Sequence, residues 1–413
     1  MTGQLAFVES PVQLLNVLEW AHARTPATGG AALPHPGVGI RSAGATGAPP
    51  DDVRGRVGTT DGAPAGPRLP VPAAPTGAAP SRGGEAPTDL TLVVLSPTDP
   101  MSRGQLRRMA QLARDEGVTV RWQEARDGRG SLARTLRELA PLLRAAERVI
   151  VGDPFSRYVQ LLLTLFGPRH LTVVDDGTAT MEYAAQLARG ERLVRWHRRG
   201  SRGPRELVLA PVSAAARRRL APTRRRTVEI FTSLPVEAPP GTTVTPHTFA
   251  WTRARFGPPR LTRGADLVGT SLVETGVVDP DRYAQAVAGL ARTHGATRYF
   301  AHRRESTEKL HRIAVETGLE IVRPDLPLEL IARRGPIGRT VVSFPSTVVH
   351  TLPLALAGTG VKVAVCAVPP EWLRENVSAR AQGFLAGVTG TAAREVDRLT
   401  VHAAPAVERF EFG

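Results

Sequence analysis

Lysine is almost absent from this chain, and cysteine and long uncharged runs are equally scarce. Only Lys309 and Lys362 among the 53 basic residues are lysines, so arginine carries nearly all of the positive charge. Glycine and proline are abundant beside it, and this skew indicates coding bias. We therefore give the formal net charge of +15 no functional meaning by itself, and we expect no nucleic-acid partner.

The single cysteine, Cys366, excludes an intramolecular disulfide, and its apolar neighbours predict a buried strand. A reducing, cytoplasmic compartment is the natural expectation. No stretch reaches the roughly 18 uncharged apolar residues that a membrane helix needs. The first twenty residues contain Glu9 and Glu19 without a basic start, so they fit neither a secretory signal nor a membrane span.

Arginines cluster locally in one segment, 192–226, which begins at Arg192 and ends at Arg226. A solvated connector is the commonest explanation of such a run. The functional alternative is a surface that meets an acidic acceptor or an anionic membrane. The sequence leaves both open, and any membrane contact is expected to be peripheral, at the inner face of the membrane, through this segment.

Short apolar strands alternate with amphipathic helices over most of the chain. The first half has predicted strands at 5–8, 90–95, 119–122, 148–152, 171–174 and 228–232, the last being its expected final strand. The second half has them at 266–270, 298–301, 320–323, 340–344 and 361–365. Such alternation forms parallel sheets with right-handed crossovers. The sequence therefore predicts an α/β fold of GT-B type: two Rossmann-like domains facing across a cleft, with ligands at the carboxyl ends of strands.

The composition changes sharply between the first helix and the second strand. Residues 26–88 are rich in glycine, alanine and proline and contain few large apolar side chains, which predicts a disordered insertion. We therefore expect an N-terminal domain at 1–235 that carries this insertion. A nucleotide-sugar-binding domain is expected at 262–390, followed by a tail at 391–413.

Asp175, Asp176 and Gly177 directly follow the predicted strand 171–174. An Asp-Gly turn between hairpin strands is the structural alternative. The next residues, 181–188, predict a helix and not a return strand, which favours a place at the edge of the cleft. A carboxylate there accepts the proton of an attacking hydroxyl, and an adjacent one raises its pKa or orients the acceptor. We predict Asp176 as the base and Asp175 as its support.

His302 follows the predicted strand 298–301 and precedes Arg303 and Arg304. A lone histidine is more often structural than catalytic, but this one lies at a second strand end. A protonated imidazole there would stabilise the charge on a departing nucleotide phosphate or donate a proton to it. We predict His302 as the third catalytic residue.

Ser346 and Thr347 lie between the predicted strand 340–344 and an apolar helix. The structural interpretation is a helix N-cap. It is compatible with a functional one, because the amides and hydroxyls at the start of a helix bind anions such as phosphate.

These three sites, in this order, resemble the motifs of the bacterial sialyltransferases and capsular polysialyltransferases. That group carries an acidic-acidic-Gly motif in its first domain, and a His-Pro motif and a Ser/Thr motif in its second. Further similarity lies in VESPVQLLN at 8–16, YFAHRRE at 299–305 and RPDLPLE at 323–329. Each motif is short, and the specificity of the resemblance lies in their combination over most of the chain outside the insertion.

The resemblance implies an inverting transferase that uses a CMP-activated acidic sugar, without a metal and without a cofactor. In that group the acidic motif supplies the general base, and the histidine and Ser/Thr motifs contact the CMP phosphate. By the same likeness Glu329 would bind the cytidine ribose, with a helix-surface carboxylate as the alternative. Gly269 and Thr270 would present backbone amides to the donor, and Ser10 and Gln13 would face the cleft. The expected substrate-binding residues are therefore Ser346, Thr347, Glu329, Gly269, Thr270, Arg303, Gly177, Ser10 and Gln13.

Two features qualify this comparison. Arg303 occupies the place of the proline in the His-Pro motif, which changes the rigidity and charge of the loop and leaves the donor open. Asp279, Pro280 and Asp281 imitate a metal-binding Asp-x-Asp signature, but their position predicts an N-cap followed by a first-turn proline. We predict no metal there.

Three functions stay open on the sequence. The first is a CMP-sugar-dependent transferase that acts on a glycan or on a precursor of a capsule or surface polysaccharide. The second keeps the GT-B fold and uses a UDP- or GDP-sugar, as a transferase or an epimerase. The third is a non-catalytic, arginine-rich protein that binds polyanions. Three chemically complementary groups at strand ends favour the enzymes over the third.

Overall fold

The computed structural model describes residues 3–25, 89–126, 131–194 and 204–374, with 377, 382, 383, 385, 387, 388, 390 and 396–399. The predicted insertion at 26–88 and residues 195–203 of the arginine-rich segment lie outside these ranges. The two sheets described below belong to one compact unit.

The first sheet is fully parallel and has the strand order β3-β2-β1-β4-β5-β6-β7. Its strands are β1 (Gly3–Val8), β2 (Leu90–Leu95), β3 (Thr119–Gln123), β4 (Ala146–Val151), β5 (His170–Val174), β6 (Thr227–Thr232) and β7 (Thr242–Pro246). The helices are α1 (Pro11–Arg24), α2 (Pro100–Asp115), α3 (Ser131–Ala145), α4 (Arg157–Leu165), α5 (Thr178–Ala188) and α6 (Pro204–Leu220). A short helix, α7 (Ala250–Arg255), leads to the second sheet.

The second sheet is also parallel, with the order β10-β9-β8-β11-β12-β13. Its strands are β8 (Leu261–Val268), β9 (Arg298–Phe300), β10 (Glu320–Val322), β11 (Ile337–Ser343), β12 (Lys362–Cys366) and β13 (Val396–Leu399). Its helices are α8 (Pro280–His294), α9 (Thr307–Thr317), α10 (Leu328–Arg334) and α11 (Val348–Ala355). Asp279 caps α8 by accepting the amides of Asp281 and Arg282 at 2.9 and 3.0 Å, which confirms the predicted cap.

Both sheets reverse their strand order at one point, between β1 and β4 and between β8 and β11. Crevices at such reversals, beyond the carboxyl ends of the strands, are where open α/β sheets bind ligands. The predicted pair of Rossmann-like sheets is confirmed, and two such sheets in one chain form a GT-B architecture.

Two strands and two α-helices were not predicted: β7, β13, α6 and α7. β7 extends the first sheet beyond β6, so the prediction of 228–232 as the final strand is wrong. β13 pairs with β12. Both are edge strands with few large apolar residues, whereas α6 lies in the arginine-rich segment, where no apolar stripe marks a helix. The first sheet thus extends past the predicted domain end at 235, and the second past the predicted end at 390.

The two sheets are joined by packed helices near the site. Glu19, buried on α1, accepts the amides of Trp251 and Thr252 at 2.9 Å each and so caps α7. Leu330 of α10 and Ala355 of α11 belong to the same apolar cluster as α1 and β1. These contacts fix the edge of one sheet relative to the other. Within the described ranges, no helix has the length and apolar character that crossing a membrane would require.

Candidate active site

Asp175 ends β5 as a buried carboxylate, only 4% exposed. Its Oδ1 accepts a hydrogen bond from the Thr232 hydroxyl at 2.5 Å. Its Oδ2 accepts bonds from the Ser233 amide at 2.7 Å and hydroxyl at 3.0 Å, and its backbone oxygen accepts one from Asn16 Nδ2 at 2.8 Å. A carboxylate held by so many donors fixes the end of the strand, and its predicted support of Asp176 stays a prediction.

Asp176 is half-buried and follows Asp175 at the edge of the sheet. Its amide donates to the Thr180 hydroxyl at 2.8 Å, within the first turn of α5. Gly177, the residue before α5, has φ of 62° and ψ of −130°, a conformation that only glycine adopts readily. The helix after the motif is as predicted, so the hairpin alternative is wrong.

The Asp-Asp-Gly and Ser/Thr motifs meet across the two sheets. A Cβ added to Gly177 would lie 3.4 Å from Thr347 Oγ1, so the backbone of one motif approaches the hydroxyl of the other. Thr347 occupies the N-cap position of α11, but its side chain accepts no hydrogen bond from the helix. The Ser346 hydroxyl lies 3.4 Å from Ser343 Oγ. The position of the cap is thus as predicted, while the Thr347 hydroxyl does not perform the capping.

His302 lies after β9, and its Nδ1 accepts the Arg304 amide at 3.2 Å. Burial, followed by the nearby charges of Arg303, Arg304 and Lys309, lowers the pKa of His302 to about 4. The imidazole is therefore neutral at pH 7 and carries its proton on Nε2. The expectation of a protonated imidazole is wrong for the ligand-free protein, because burial and like charge disfavour the cation. A neutral Nε2–H still donates a hydrogen bond to a phosphate oxygen.

Gly269 and Thr270 do not offer the amides that the sequence led us to expect. The Gly269 amide donates to the Phe300 carbonyl at 2.9 Å within the sheet. The Thr270 backbone is hydrogen-bonded to the buried Tyr283 hydroxyl. Gly269 is required for a steric reason, since an added Cβ would collide with Glu305 Oε2 and the Tyr299 hydroxyl. The prediction of donor-binding amides at these positions is therefore corrected.

Ser10 and Gln13 serve the start of α1. Ser10 Oγ accepts the Gln13 amide at 3.3 Å, and Gln13 Oε1 accepts the Glu9 amide at 2.7 Å. Both side chains are buried, and Gln13 packs closely against Gly152. This reciprocal arrangement resembles a capping box. Because the two side chains are buried at the start of α1, the prediction that they face the cleft is corrected.

Glu329 and Arg303 differ in burial, and their predicted contacts with the donor stay predictions. Glu329 is buried and its Oε1 accepts the Thr351 hydroxyl at 2.6 Å, so it is not the helix-surface carboxylate of the alternative interpretation. Arg303 is exposed, and its charge lies close enough to Asp99 in the first half to help lower the pKa of that carboxyl, after hydrogen bonds from Ser102.

Two histidines at the site escaped the sequence analysis. His350 on α11 is 6% exposed, and its Nε2 has no hydrogen-bond partner among the described residues. Burial lowers its pKa, and the nearby Asp175 carboxylate opposes that shift. His247 lies between the rings of Phe231 and Phe249, with Nδ1 3.9 Å from Asp175 Oδ2. No spacing in the sequence connects either histidine to Asp175, so only the fold reveals them.

A second polar cluster lies at the carboxyl ends of β1 and β4. Glu9 pairs with Arg126 at 2.5 Å and accepts a bond from the Ser156 hydroxyl. Burial raises the pKa of Glu9, Arg126 opposes this, and the neighbouring Asp153 adds to it. This cluster lies on the same edge of the first sheet as Asp176, on the side away from β6.

The fold and site together define a GT-B-type α/β protein in which the acidic motif after one sheet approaches the Ser/Thr motif after the other. In fold, the chain is similar to an alpha/beta-galactoside alpha-2,3-sialyltransferase from the luminous marine bacterium Photobacterium phosphoreum. That likeness has 9% identity over 96% of this chain and 98% of that chain, with a TM-score of 0.46.

Plant enzymes show similar likenesses. One is UGT73P12 of Glycyrrhiza uralensis in complex with glycyrrhetinic acid 3-O-monoglucuronide, at 10% identity over 97% of this chain and 82% of that chain, with a TM-score of 0.43. Another is a UDP-glucosyltransferase of Polygonum tinctorium, at 13% identity over 68% and 74%, with a TM-score of 0.35. No protein-family model and no curated protein matches the chain. Because every TM-score quoted is below 0.5, the function below is argued from the site itself.

Proposed function

We propose that this chain is an inverting glycosyltransferase that moves sialic acid or a related acidic sugar from a CMP-activated donor to a glycan hydroxyl. The observation that carries this proposal is the close approach of Gly177, which follows Asp176 after β5, to Thr347 at the start of α11. A base from one half and an anion-binding helix start from the other thereby border the same space.

Asp176 is the general base in this proposal, and Asp175 holds it in place. The base takes the proton of the acceptor hydroxyl while the acceptor oxygen forms its bond to the anomeric carbon. The bond from that carbon to the phosphate oxygen breaks, and CMP leaves with the electron pair. Attack from the face opposite the leaving group inverts the anomeric centre.

The leaving phosphate is received by the second half. Ser346, Thr347 and the amides at the start of α11 bind its oxygens, and His302 donates its Nε2–H to them. Glu329 lies one helix away and is the candidate partner for the ribose hydroxyls. Helix dipole, hydroxyls and imidazole all favour negative charge, so the site stabilises the departing nucleotide without a metal or a cofactor.

The acceptor is assigned to the first half. The Glu9, Arg126 and Asp153 cluster borders the same sheet edge as Asp176 and offers hydrogen-bonding groups to a sugar. A glycan or a surface-polymer precursor fits this polar surface. Peripheral attachment to an anionic membrane through the segment 192–226, at the cytoplasmic face, remains part of the proposal.

A nucleotide panel tests the donor. CMP, UDP and GDP are each added without metal, and thermal unfolding is followed. A ligand at a hundred times its dissociation constant stabilises the folded state by about 2.7 kcal/mol. We expect CMP alone to raise the melting temperature, and CMP-sialic acid to be turned over with a glycan acceptor. Stabilisation by UDP or GDP alone would reassign the donor, and polyanion binding that ignores Asp176 and His302 would indicate a non-catalytic protein.

A further inference from the structure

Lys309 is one of only two lysines in a chain otherwise supplied with arginine. It lies in the first turn of α9, with its side chain only 10% exposed. Its Nζ lies 2.8 Å from Glu305 Oε1, 3.0 Å from the Thr270 carbonyl and 3.5 Å from Glu274 Oε2. The same nitrogen sits 4.0 Å from the centre of the Tyr283 ring.

Glu305 connects this lysine to His302. Its Oε1 also accepts the Tyr299 hydroxyl at 2.6 Å, and its Oε2 accepts the His302 amide at 2.6 Å. The Glu305 amide returns a bond to the His302 carbonyl at 3.0 Å. The backbone of His302 is thus held on both sides by one residue, whose carboxylate is held in turn by Lys309 and Tyr299.

The geometry of the pocket explains why a lysine stands here. An ammonium has three N–H groups, which here meet two carboxylates and a carbonyl oxygen that lie in different directions. Arginine presents its donors in a planar fork that suits a single carboxylate, so it does not reproduce three bonds from one nitrogen. Glu305 itself occupies space that exists only because position 269 is glycine. A lysine therefore stands at position 309, where a compact charge is needed, although arginine is the usual basic residue of this chain.

We propose that Lys309 is a positioning residue that fixes His302, through Glu305, in the orientation that contacts the nucleotide phosphate. The expected effect of Lys309 on nucleotide binding rests on the function proposed above. The structural half of the proposal concerns the His302 loop alone and is testable without any ligand.

The binding test compares Lys309→Arg and Lys309→Met with Lys362→Arg and Lys362→Met. Lys362 is exposed at the start of β12, so its variants are matched controls. With CMP as the probe, we expect both Lys309 variants to bind about tenfold or more weakly, because His302 then loses the orientation in which it donates to the phosphate. We expect both controls to bind like the wild type. CMP binding by folded Lys309→Arg that equals the wild type would overturn the proposal.

A ligand-free test separates this proposal from the assignment of the donor. Nitrogen-15 NMR of the histidine rings reports whether His302 carries its proton on Nε2 with Nδ1 accepting a bond. We expect that signature in the wild type and in the Lys362 variants, and its loss or averaging in Lys309→Arg. If the wild type does not bind CMP, the function fails, and the spectrum alone decides the positioning role.

A milder variant covers the case in which Lys309→Arg does not fold. Tyr299→Phe removes only the hydroxyl that donates to Glu305 and keeps the buried ring. We expect the same change of the His302 signal, in a weaker form. A His302 spectrum identical to that of the wild type in this variant would contradict the network as the device that orients the histidine.

Discussion

Adjacent carboxylates after β5 have opposite surroundings, and this difference supports the roles proposed for them. Asp175 is buried and accepts bonds from Thr232 and Ser233, so its oxygens are occupied by the fold. Asp176 is half-buried at the edge of the sheet and precedes Gly177, which approaches Thr347 of the opposite half. A base must reach the hydroxyl that it deprotonates, so the proposal gives this role to Asp176, the more exposed of the two carboxylates.

Substituting the two carboxylates should separate activity from stability. Asp176→Asn is expected to lower kcat by about 10²–10⁴-fold, the usual contribution of a general base, with little change in the free energy of unfolding. Asp175→Asn is expected to lower the free energy of unfolding by about 1–3 kcal/mol, because it leaves buried donors mismatched. Steady-state kinetics and chemical denaturation measure the two effects. Equal stability losses with unchanged kcat would remove Asp176 as the base.

His302 should make the protein less stable in mild acid. Its pKa is about 4 in the folded protein, below the ordinary histidine value of 6.5. Between these values the unfolded chain binds more protons than the folded one, so stability falls as the pH falls from about 6.5 toward 4. His302→Gln should lose less stability than the wild type over this interval in denaturation measured at several pH values. His350 contributes in the same direction in both proteins, and identical pH slopes would contradict the depressed pKa of His302.

At the scale of elements, Gly177 lies in the connection from β5 to α5 and has a backbone conformation that other residues avoid. Gly177→Ala should lower the free energy of unfolding by about 1–3 kcal/mol, because φ of 62° is strained for alanine and the new methyl group contacts Thr347. Gly104→Ala is the matched control. Gly104 lies within α2 with open space around it, and alanine there should raise stability by roughly 0.5–1 kcal/mol. Chemical denaturation of both variants measures the two changes in the free energy of unfolding. Equal changes in the two variants would contradict strain at position 177.

The strands that the sequence predicts are those with a buried apolar run. Leu90–Leu95 appears with the same bounds in the structure, because four of its six residues form a continuous buried run that no helix pattern imitates. β7 contains three threonines and a proline in five residues and lies at a sheet edge, so its pattern gives no apolar signal. Edge strands are specified by a neighbour that the local sequence does not contain.

The candidate site shows a similar division. The motifs at Asp175, His302 and Ser346 could be placed at strand ends, because strand ends follow from local patterns and parallel sheets align them. The sequence does not show which of the polar groups near the site form hydrogen bonds or packing contacts within the protein itself. The Gly269 amide bonds to the distant Phe300, Gln13 packs against the distant Gly152, and Asp175 influences the pKa of His350 only after the halves pack.

At the scale of the whole molecule, the two sheets offer a comparison for the long segment after α1. In the second sheet, the equivalent connection from α8 to β9 needs only residues 295–297. The crossover from α1 to β2 should therefore form without residues 26–84. Replacing them with a Gly/Ser linker of about ten residues should leave the melting temperature and nucleotide binding unchanged, since loop length affects closure entropy only slowly. Thermal unfolding and CMP titration measure this, and loss of folding would show that the segment contributes to the core.

The central claim is that two Rossmann-like halves build one metal-independent nucleotide phosphate site. Isothermal titration of the protein with CMP, without added metal, tests it most directly when the wild type is compared with His302→Ala, Ser346→Ala and the exposed control His311→Ala. The account predicts one saturable CMP site, weakened about tenfold or more by the first two substitutions and unchanged by the third. Absence of CMP binding, or CMP binding that ignores both His302 and Ser346, would contradict it.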